Sequence, residues 1–430
     1  MKKLVINTVV IISFIGIVLV IGNMYILPSM NIEDKEFSWN ILYKGLKGCR
    51  DFTVDEDNNT YIAFENKIQK IDPLGKSKVI YDNKDLDINF MEYYNKALYI
   101  ATDNRIMVFD LIKGTISELL KDIPNLGDFN KNCLIIKDDK LYVTIGAVTN
   151  AGVVGDDNKW LKDNPLLYDR SPIKIVLKGE NFNKGTTGAF VPYHVKGEEN
   201  QEIQGLFPGN SSIITYDFST YKWETYCYGV RNINGLDYTS QGNIYGTVGG
   251  IEPRGERGIQ GDKDYIYEFK KNLWYGWPDF TGGDPIISPR FKSSNDKPLN
   301  FIIKNHLTEN PEGPYYQHKT ISALGTMAID RNGIMGNKDD IYFYDKNENI
   351  IYVLGDKVKE HSKIKITKGN IGSLKFTPNS LRALDGEKGL LYDITNSKSK
   401  SQSMLNNGVL YGGIIIIVAM ILAMIKKLIN

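Results

Sequence analysis

"YIAFENKIQKID" (Tyr61–Asp72) and "YIATDNRIMVFD" (Tyr99–Asp110) begin 38 residues apart and nearly coincide. Both open on Tyr-Ile-Ala, pass through an acidic residue, an Asn and a base, and close on Asp after a second apolar run. Each reads as a buried strand, a two-residue turn and a second strand with alternating apolar positions. Recurrence at this period, with turn signals and no helical periodicity, predicts propeller blades.

Four further stretches echo the pattern: "DDKLYVTIG" (Asp138–Gly146), "QGNIYGTVGG" (Gln241–Gly250), "KDDIYFYDKNENIIYVLGD" (Lys338–Asp356) and "EKGLLYDITN" (Glu387–Asn396). Each places Asp, Asn, Gly or Gln before an apolar-Tyr strand, the turn chemistry of a hairpin. Six echoes predict six blades. The last stops before its outer strand, and "FSWNILYKG" (Phe37–Gly45) is expected to supply it, closing the ring and removing an exposed sheet edge. About 100 residues separate Tyr142 from Tyr245, and again Tyr245 from Tyr342. That surplus predicts long loops, Ala147–Cys227 and Gly249–His318, on one face of a rigid scaffold.

The chain ends are of another kind. Leu4–Gly22 is a charge-free apolar run preceded by Lys2 and Lys3; Val409–Ile425 is a second, followed by Lys426 and Lys427. Each is long enough to cross a bilayer as a helix. The first run is too long for a signal-peptide core and no A-x-A site follows, so an uncleaved anchor is expected. Lysines on the outer side of both spans put both termini in the cytoplasm and the intervening chain outside. The expected class is thus all-β: a six-bladed β-propeller over 31–396, flanked by an N-terminal transmembrane helix in 1–30, a linker over 397–407 and a C-terminal transmembrane helix in 408–430.

The 52 basic and 51 acidic residues leave a net charge of +1, with no surplus to neutralise phosphates, which excludes a nucleic-acid partner. Cys49, Cys133 and Cys227 form no disulfide framework and no zinc spacing, so any metal must be a hard, oxygen-liganded one.

The long loops carry the motifs. The first holds "TNAGVVGDDNKW" (Thr149–Trp160) and "TGAFVPY" (Thr187–Tyr193), and leads into "YGVRNINGLDY" (Tyr228–Tyr238). The second holds "GGIEPRGERGIQGDKDYIYEF" (Gly249–Phe269) and "NLWYGWPDFTGGDP" (Asn272–Pro285). Arg231 and Asn232, just before a strand, suit a polar group aimed at the ring axis. Arg254 and Arg257 add guanidinium groups that match planar carboxylates. Asp156, Asp157 and Asn158 form either a cation or sugar site or a turn whose Asp and Asn cap their own backbone, and Asn150 is a further ligand-binding candidate. Trp274, Tyr275 and Trp277 are expected to pack between blades, with stacking on a sugar as the alternative.

"YGVRN-x-x-GL" followed by "WYGWPDFxGGDP" resembles the glucose/sorbosone dehydrogenase family, most closely a bacterial subgroup that also carries "TNxGVVGxDNxxW" and "TGAFxP". The resemblance spans roughly Trp39–Asn396. It implies a six-bladed propeller whose active members use pyrroloquinoline quinone and calcium, with a histidine as general base on the sugar hydroxyl. The matching position falls on Asp128, Phe129 or Asn130, where there is no histidine. A solvated Asp128 is a poor base at neutral pH. Arg231 and Asn232 match the family's cofactor-contacting pair. The acidic residue that often follows the fourth blade's strand is replaced by Val248 and Gly249, leaving Glu252, Asp262 and Asp264 as the carboxylates available to calcium. These departures favour a binding head for a small carbohydrate-like ligand or envelope component over a quinone- and calcium-dependent sugar or polyol dehydrogenase.

Overall fold

In a propeller the inner strands are buried on both faces, because each sheet packs between two neighbours, and alternate residues feed alternate cores. The repeated stretch obeys this. Tyr61 and Ala63 pack toward the second blade, while Ile62 packs toward the sixth. One blade on, Ala101 packs forward into the third blade and Ile100 back into the first. The computed structural model describes residues 30–32, 37–294, 298–355, 359–367 and 369–396. Both expected membrane segments lie outside the described residues. Among the described residues no helix is long and apolar enough to cross a membrane.

Six antiparallel sheets form the ring. Blades one and two run without interruption, from Cys49 to Asp82 and from Phe90 to Leu120. Blade three takes Leu134–Lys137, Lys140–Ile145, Ser212–Asp217 and Lys222–Tyr228; blade four takes Ile233–Tyr238, Ile244–Val248, Tyr265–Phe269 and Tyr316–Gln317. Blade five begins at Leu324 and gains a fifth strand, Met30–Ile32, paired with Lys359–Ile366. In blade six Phe37–Lys44 pairs with Leu390–Asn396 in the register Trp39 to Ile394. The first strand thus completes the last blade, as the unfinished final echo predicted. Phe52 and Ile62 of blade one and Leu384 and Leu391 of blade six share a core, which seals the ring.

The long loops are narrower than expected. Ser212–Asp217 and Lys222–Tyr228 lie inside the span expected to be loop, but are blade strands paired with Lys140–Ile145 and with each other. Tyr265–Phe269 likewise divides the second insertion in two. Short strands after a long excursion leave no repeat signal in sequence. Antiparallel order puts residues 146–211 and 249–264 on the face where each chain link enters an inner strand, called here the loop face. A core of their own, including Val153, Leu177, Phe190, Ile251, Trp277 and Ile302, holds these loops together.

Candidate functional site

The loop-face site is assembled by one side chain, Asn150. Its carbonyl end accepts from Arg231 Nη2 at 2.8 Å and from the Glu252 backbone N–H at 3.0 Å. Its amide end donates to the carbonyls of Glu252 and Arg254 at 2.8 and 2.9 Å. Four bonds exhaust an Asn side chain's principal capacity, so Asn150 ties the first loop to the second. Its backbone carbonyl accepts from Arg231 Nε and Trp277 Nε1, both at 3.2 Å. Upstream, Asp169 staples this segment by accepting from the Val148 N–H at 2.6 Å and the Thr149 hydroxyl at 2.6 Å. Asp169 is fully buried and forms no ion pair among the described residues, and burial pushes its carboxyl up to about 7.

Arg231 lies just before the inner strand of blade four and is 4 % exposed. Its guanidinium carbon stands 4.1 Å from the centre of the Phe129 ring, and Nη2 is 3.3 Å from Glu252 Oε2. Burial pulls its pKa down to about 10, against the pull of Glu252. Arg254 is more deeply committed. Nε reaches Glu252 Oε2 at 2.6 Å, Nη1 reaches Asp157 Oδ2 at 2.6 Å and Nη2 reaches Asp128 Oδ2 at 2.7 Å. Burial works against the charge, but Asp128 and Glu252 outweigh it and hold the guanidinium protonated well above its usual range. In return, although burial raises the Glu252 carboxyl, Arg231 and Arg254 outweigh it and bring it below the usual value. Asp128, one of the three residues on which the sequence comparison lets the base position fall, also accepts from Trp160 Nε1 at 2.8 Å and Asn158 Nδ2 at 3.1 Å. Both Asp128 oxygens are thus occupied by protein donors.

The remaining candidates hold the loops. Arg257 is 5 % exposed and donates to Asp279 Oδ1 at 2.9 Å and to the carbonyls of Ala151 and Asn300 at 2.7 and 2.9 Å. Asn232 donates to Asn234 Oδ1 at 2.9 Å. Asp262 accepts from the Ile251 N–H, the Thr281 hydroxyl and the Tyr265 phenol. Asp264 accepts from the N–H groups of Gly250, Ser322, Ala323 and Leu324. Both oxygens of each aspartate are thus filled by protein donors, and Glu252 faces Arg231, Arg254 and the Ser322 hydroxyl. Calcium needs six to eight oxygens with free lone pairs, and this set does not provide them. Among the described residues no group of three His, Cys, Asp or Glu is placed to hold a metal. Nor does Arg231, committed to Asn150 and Glu252 and laid on Phe129, fit a quinone carboxylate.

The aromatic stretch is a packing device. Asn272–Trp277 climbs beside the last strand of blade three, with Tyr275 N–H donating to the Tyr228 carbonyl at 2.8 Å and Trp277 N–H to Gly229 at 3.0 Å. Trp274, Tyr275 and Trp277 are buried. A Cβ on Gly229 would lie 2.4 Å from Trp274 Cδ1, and Gly229 has φ +78°, so glycine is required there. The roles of Asp169 and Ser322 had no sequence signal, while Trp160 was visible only in the first loop motif and Phe129 only as one of the three residues at which the base position could fall.

No family model matches the chain, and no curated protein matches it in sequence. Solved structures do. A calcium structure of a Trichoderma reesei carbohydrate-active enzyme of family AA12 has 12% identity and a TM-score of 0.57 over 86% of this chain and 98% of that one. The holo form of the pyranose dehydrogenase PQQ domain from Coprinopsis cinerea has 12% identity and a TM-score of 0.55 over 85% of this chain and 97% of that one. The fold implied by the motifs therefore holds: the chain shares the six-bladed propeller of quinone-type sugar dehydrogenases.

Proposed function

We propose that the chain is a membrane-tethered, extracytoplasmic binding head, built on a sugar-dehydrogenase type of propeller, for a small carbohydrate-like ligand or envelope component. One observation carries this reading: the Arg254 guanidinium bridges Asp128, Asp157 and Glu252 at 2.6–2.7 Å. Asp128, one of three residues that could stand at the family's base position, is paired with an arginine rather than free, which supports this reading. The apolar ends with their outer lysine pairs support the tethering, and propellers host binding and catalysis alike. The loop face keeps Arg254, Asp157 and Glu252 partly exposed, which suits hydroxyl-rich ligands.

The test uses the full chain in detergent. With pyrroloquinoline quinone, calcium and a panel of aldoses, no dye reduction and no rise in melting temperature are expected. Cell-envelope oligosaccharides should raise it, and Asp157→Asn should lessen that rise. Quinone-dependent turnover would overturn this reading in favour of a sugar dehydrogenase.

A further inference from the structure

Opposite the loop face, the inner strands of blades one, two, three and six end in hairpin turns that no long loop among the described residues covers. Between them lies a cavity of about 630 Å³ bounded by Asp55, Glu56, Glu92, Tyr93, Lys375 and Thr377. A second, of about 420 Å³, is bounded by Glu92, Tyr94, Lys137, Asp138, Asp139 and Tyr238. The Tyr93–Tyr94 tip forms the lip between them and borders both. Each volume is in the range of small-molecule sites, roughly 300–1,000 Å³.

The lip is built before any ligand arrives. Asn95 and Lys96 both have positive φ, 46° and 60°, as a tight two-residue hairpin requires. Tyr93 stacks on Tyr61 with ring centres 6.3 Å apart and 5° between planes, and its phenol donates to Glu56. Tyr94 stacks on Phe218 at 5.0 Å and 11°, and its phenol donates to Asp139. Rings fixed this way lose little freedom on binding. A phenol that donates to a carboxylate also leaves its ring richer in electrons, which strengthens attraction for a cation over the face.

The walls set the sign of the ligand. Four carboxylates, Glu56, Glu92, Asp138 and Asp139, face two ammonium groups, Lys137 and Lys375, while a fifth, Asp55, is filled by the Asp57 and Asn59 N–H groups, the Asn59 amide and the Tyr61 phenol. Both ammonium groups are already paired, Lys137 with Asp138, and Lys375 with Glu92 at 2.7 Å and Asp51 at 3.3 Å. Lys375 sits where the mouth narrows into an axial cavity of about 120 Å³, so a cationic ligand is held at the mouth rather than drawn along the axis. From this geometry we propose that the mouth opposite the long loops is a binding site for an organic polyamine, its ammonium groups resting on the Tyr93–Tyr94 lip against the wall carboxylates. The proposal is independent of the reading of the loop face.

Spermidine is the probe, titrated calorimetrically into the full chain in detergent at low salt. Saturable binding is expected, weakened about tenfold by Tyr94→Leu and about threefold by Glu56→Gln or Asp139→Asn, and weakened further by added salt. Glu56 and Asp139 lie on exposed turns, and Asn keeps the positive φ of Asp139, 54°, so both carboxylate variants should fold as the parent does. The idea is overturned if spermidine does not saturate, or if the three variants bind like the parent. Equal binding of magnesium, which would mark mere counterion condensation, or tighter binding of glucose overturns it too.

Discussion

At the loop-side mouth Arg254 sits among Asp128, Asp157 and Glu252; at the opposite mouth Lys375 sits between Asp51 and Glu92. Both mouths therefore place a cation among carboxylates near the axis, but their surroundings differ. On the loop side, residues 146–211 and 249–264 bring their own N–H and side-chain donors, and Arg231 and Asn150 are sealed beneath them. On the other side the turns are short, nothing among the described residues covers them, and the same motif floors a cavity. Loop length decides whether an axial ion pair becomes packing or the base of a site.

Breaking the open mouth should cost most. Lys375→Met leaves Asp51, with a side chain 1 % exposed, and Glu92 without a counter-ion. Burial raises the Glu92 carboxyl and Lys375 opposes that rise. Removing one partner of a buried pair typically costs about 3–5 kcal/mol. Urea unfolding of the variant should show a loss of this order; a loss under about 1 kcal/mol would mean the pair is solvated and the two mouths are alike.

The next effect is pH-dependent and belongs to the loop side. Asp169 titrates at about 7 instead of the ordinary 3.8, because burial disfavours its charged form. The native state therefore holds that proton more tightly than the unfolded chain. The resulting stabilisation is complete below about pH 4 and disappears as pH rises through 7. Asp169→Asn removes it, so the gap in stability between parent and variant should narrow from pH 4 to pH 7.5. A gap that widens over that range would show that the Val148 and Thr149 donors keep Asp169 ionised.

Arg254→Met tests whether the loop-side cation is replaceable. Arg254 is 32 % exposed, so its loss should cost less than that of Lys375, about 2–3 kcal/mol. Chelator should leave the parent's melting temperature unchanged. The variant frees oxygens of Asp128, Asp157 and Glu252 that now face the guanidinium, and millimolar calcium should recover part of its stability. No recovery would mean that these carboxylates depend on the fork geometry of arginine rather than on its charge.

The ring was legible because every blade repeats one constraint. A strand buried on both faces must read as Tyr-Ile-Ala or its like, and Phe37–Gly45 had to pair with an unfinished last blade. The loop-side site was legible only as a set of residues. Arg231, Arg254, Asn150, Asp157 and Asn158 were visible in the motifs, but who bonds whom depends on pairings such as Arg254 with Asp128, 126 residues apart. Asp262 and Asp264 look like calcium ligands in sequence because a carboxylate filled by backbone N–H groups is spelled like a free one. The open mouth left least trace, since Tyr93, Tyr94, Glu56 and Asp139 come from three blades, and only Asp139 falls in a quoted repeat, as a turn residue.

Trp160→Phe makes the smallest change and the most local one. Its indole N–H donates to Asp128 Oδ1 at 2.8 Å, while Asn158 and Arg254 hold Oδ2. Phenylalanine keeps most of the ring and removes that donor, so about 1 kcal/mol should be lost, the usual worth of one hydrogen bond to a partly buried group. If Asp128 is positioned by the whole network, Trp160→Phe and Arg254→Met should be coupled, and the double variant should lose less than the sum of the two. Simple additivity would mean that each donor holds Asp128 independently. The closed mouth would then be a set of separate bonds rather than one packed unit, and the contrast with the open mouth would rest on loop cover alone.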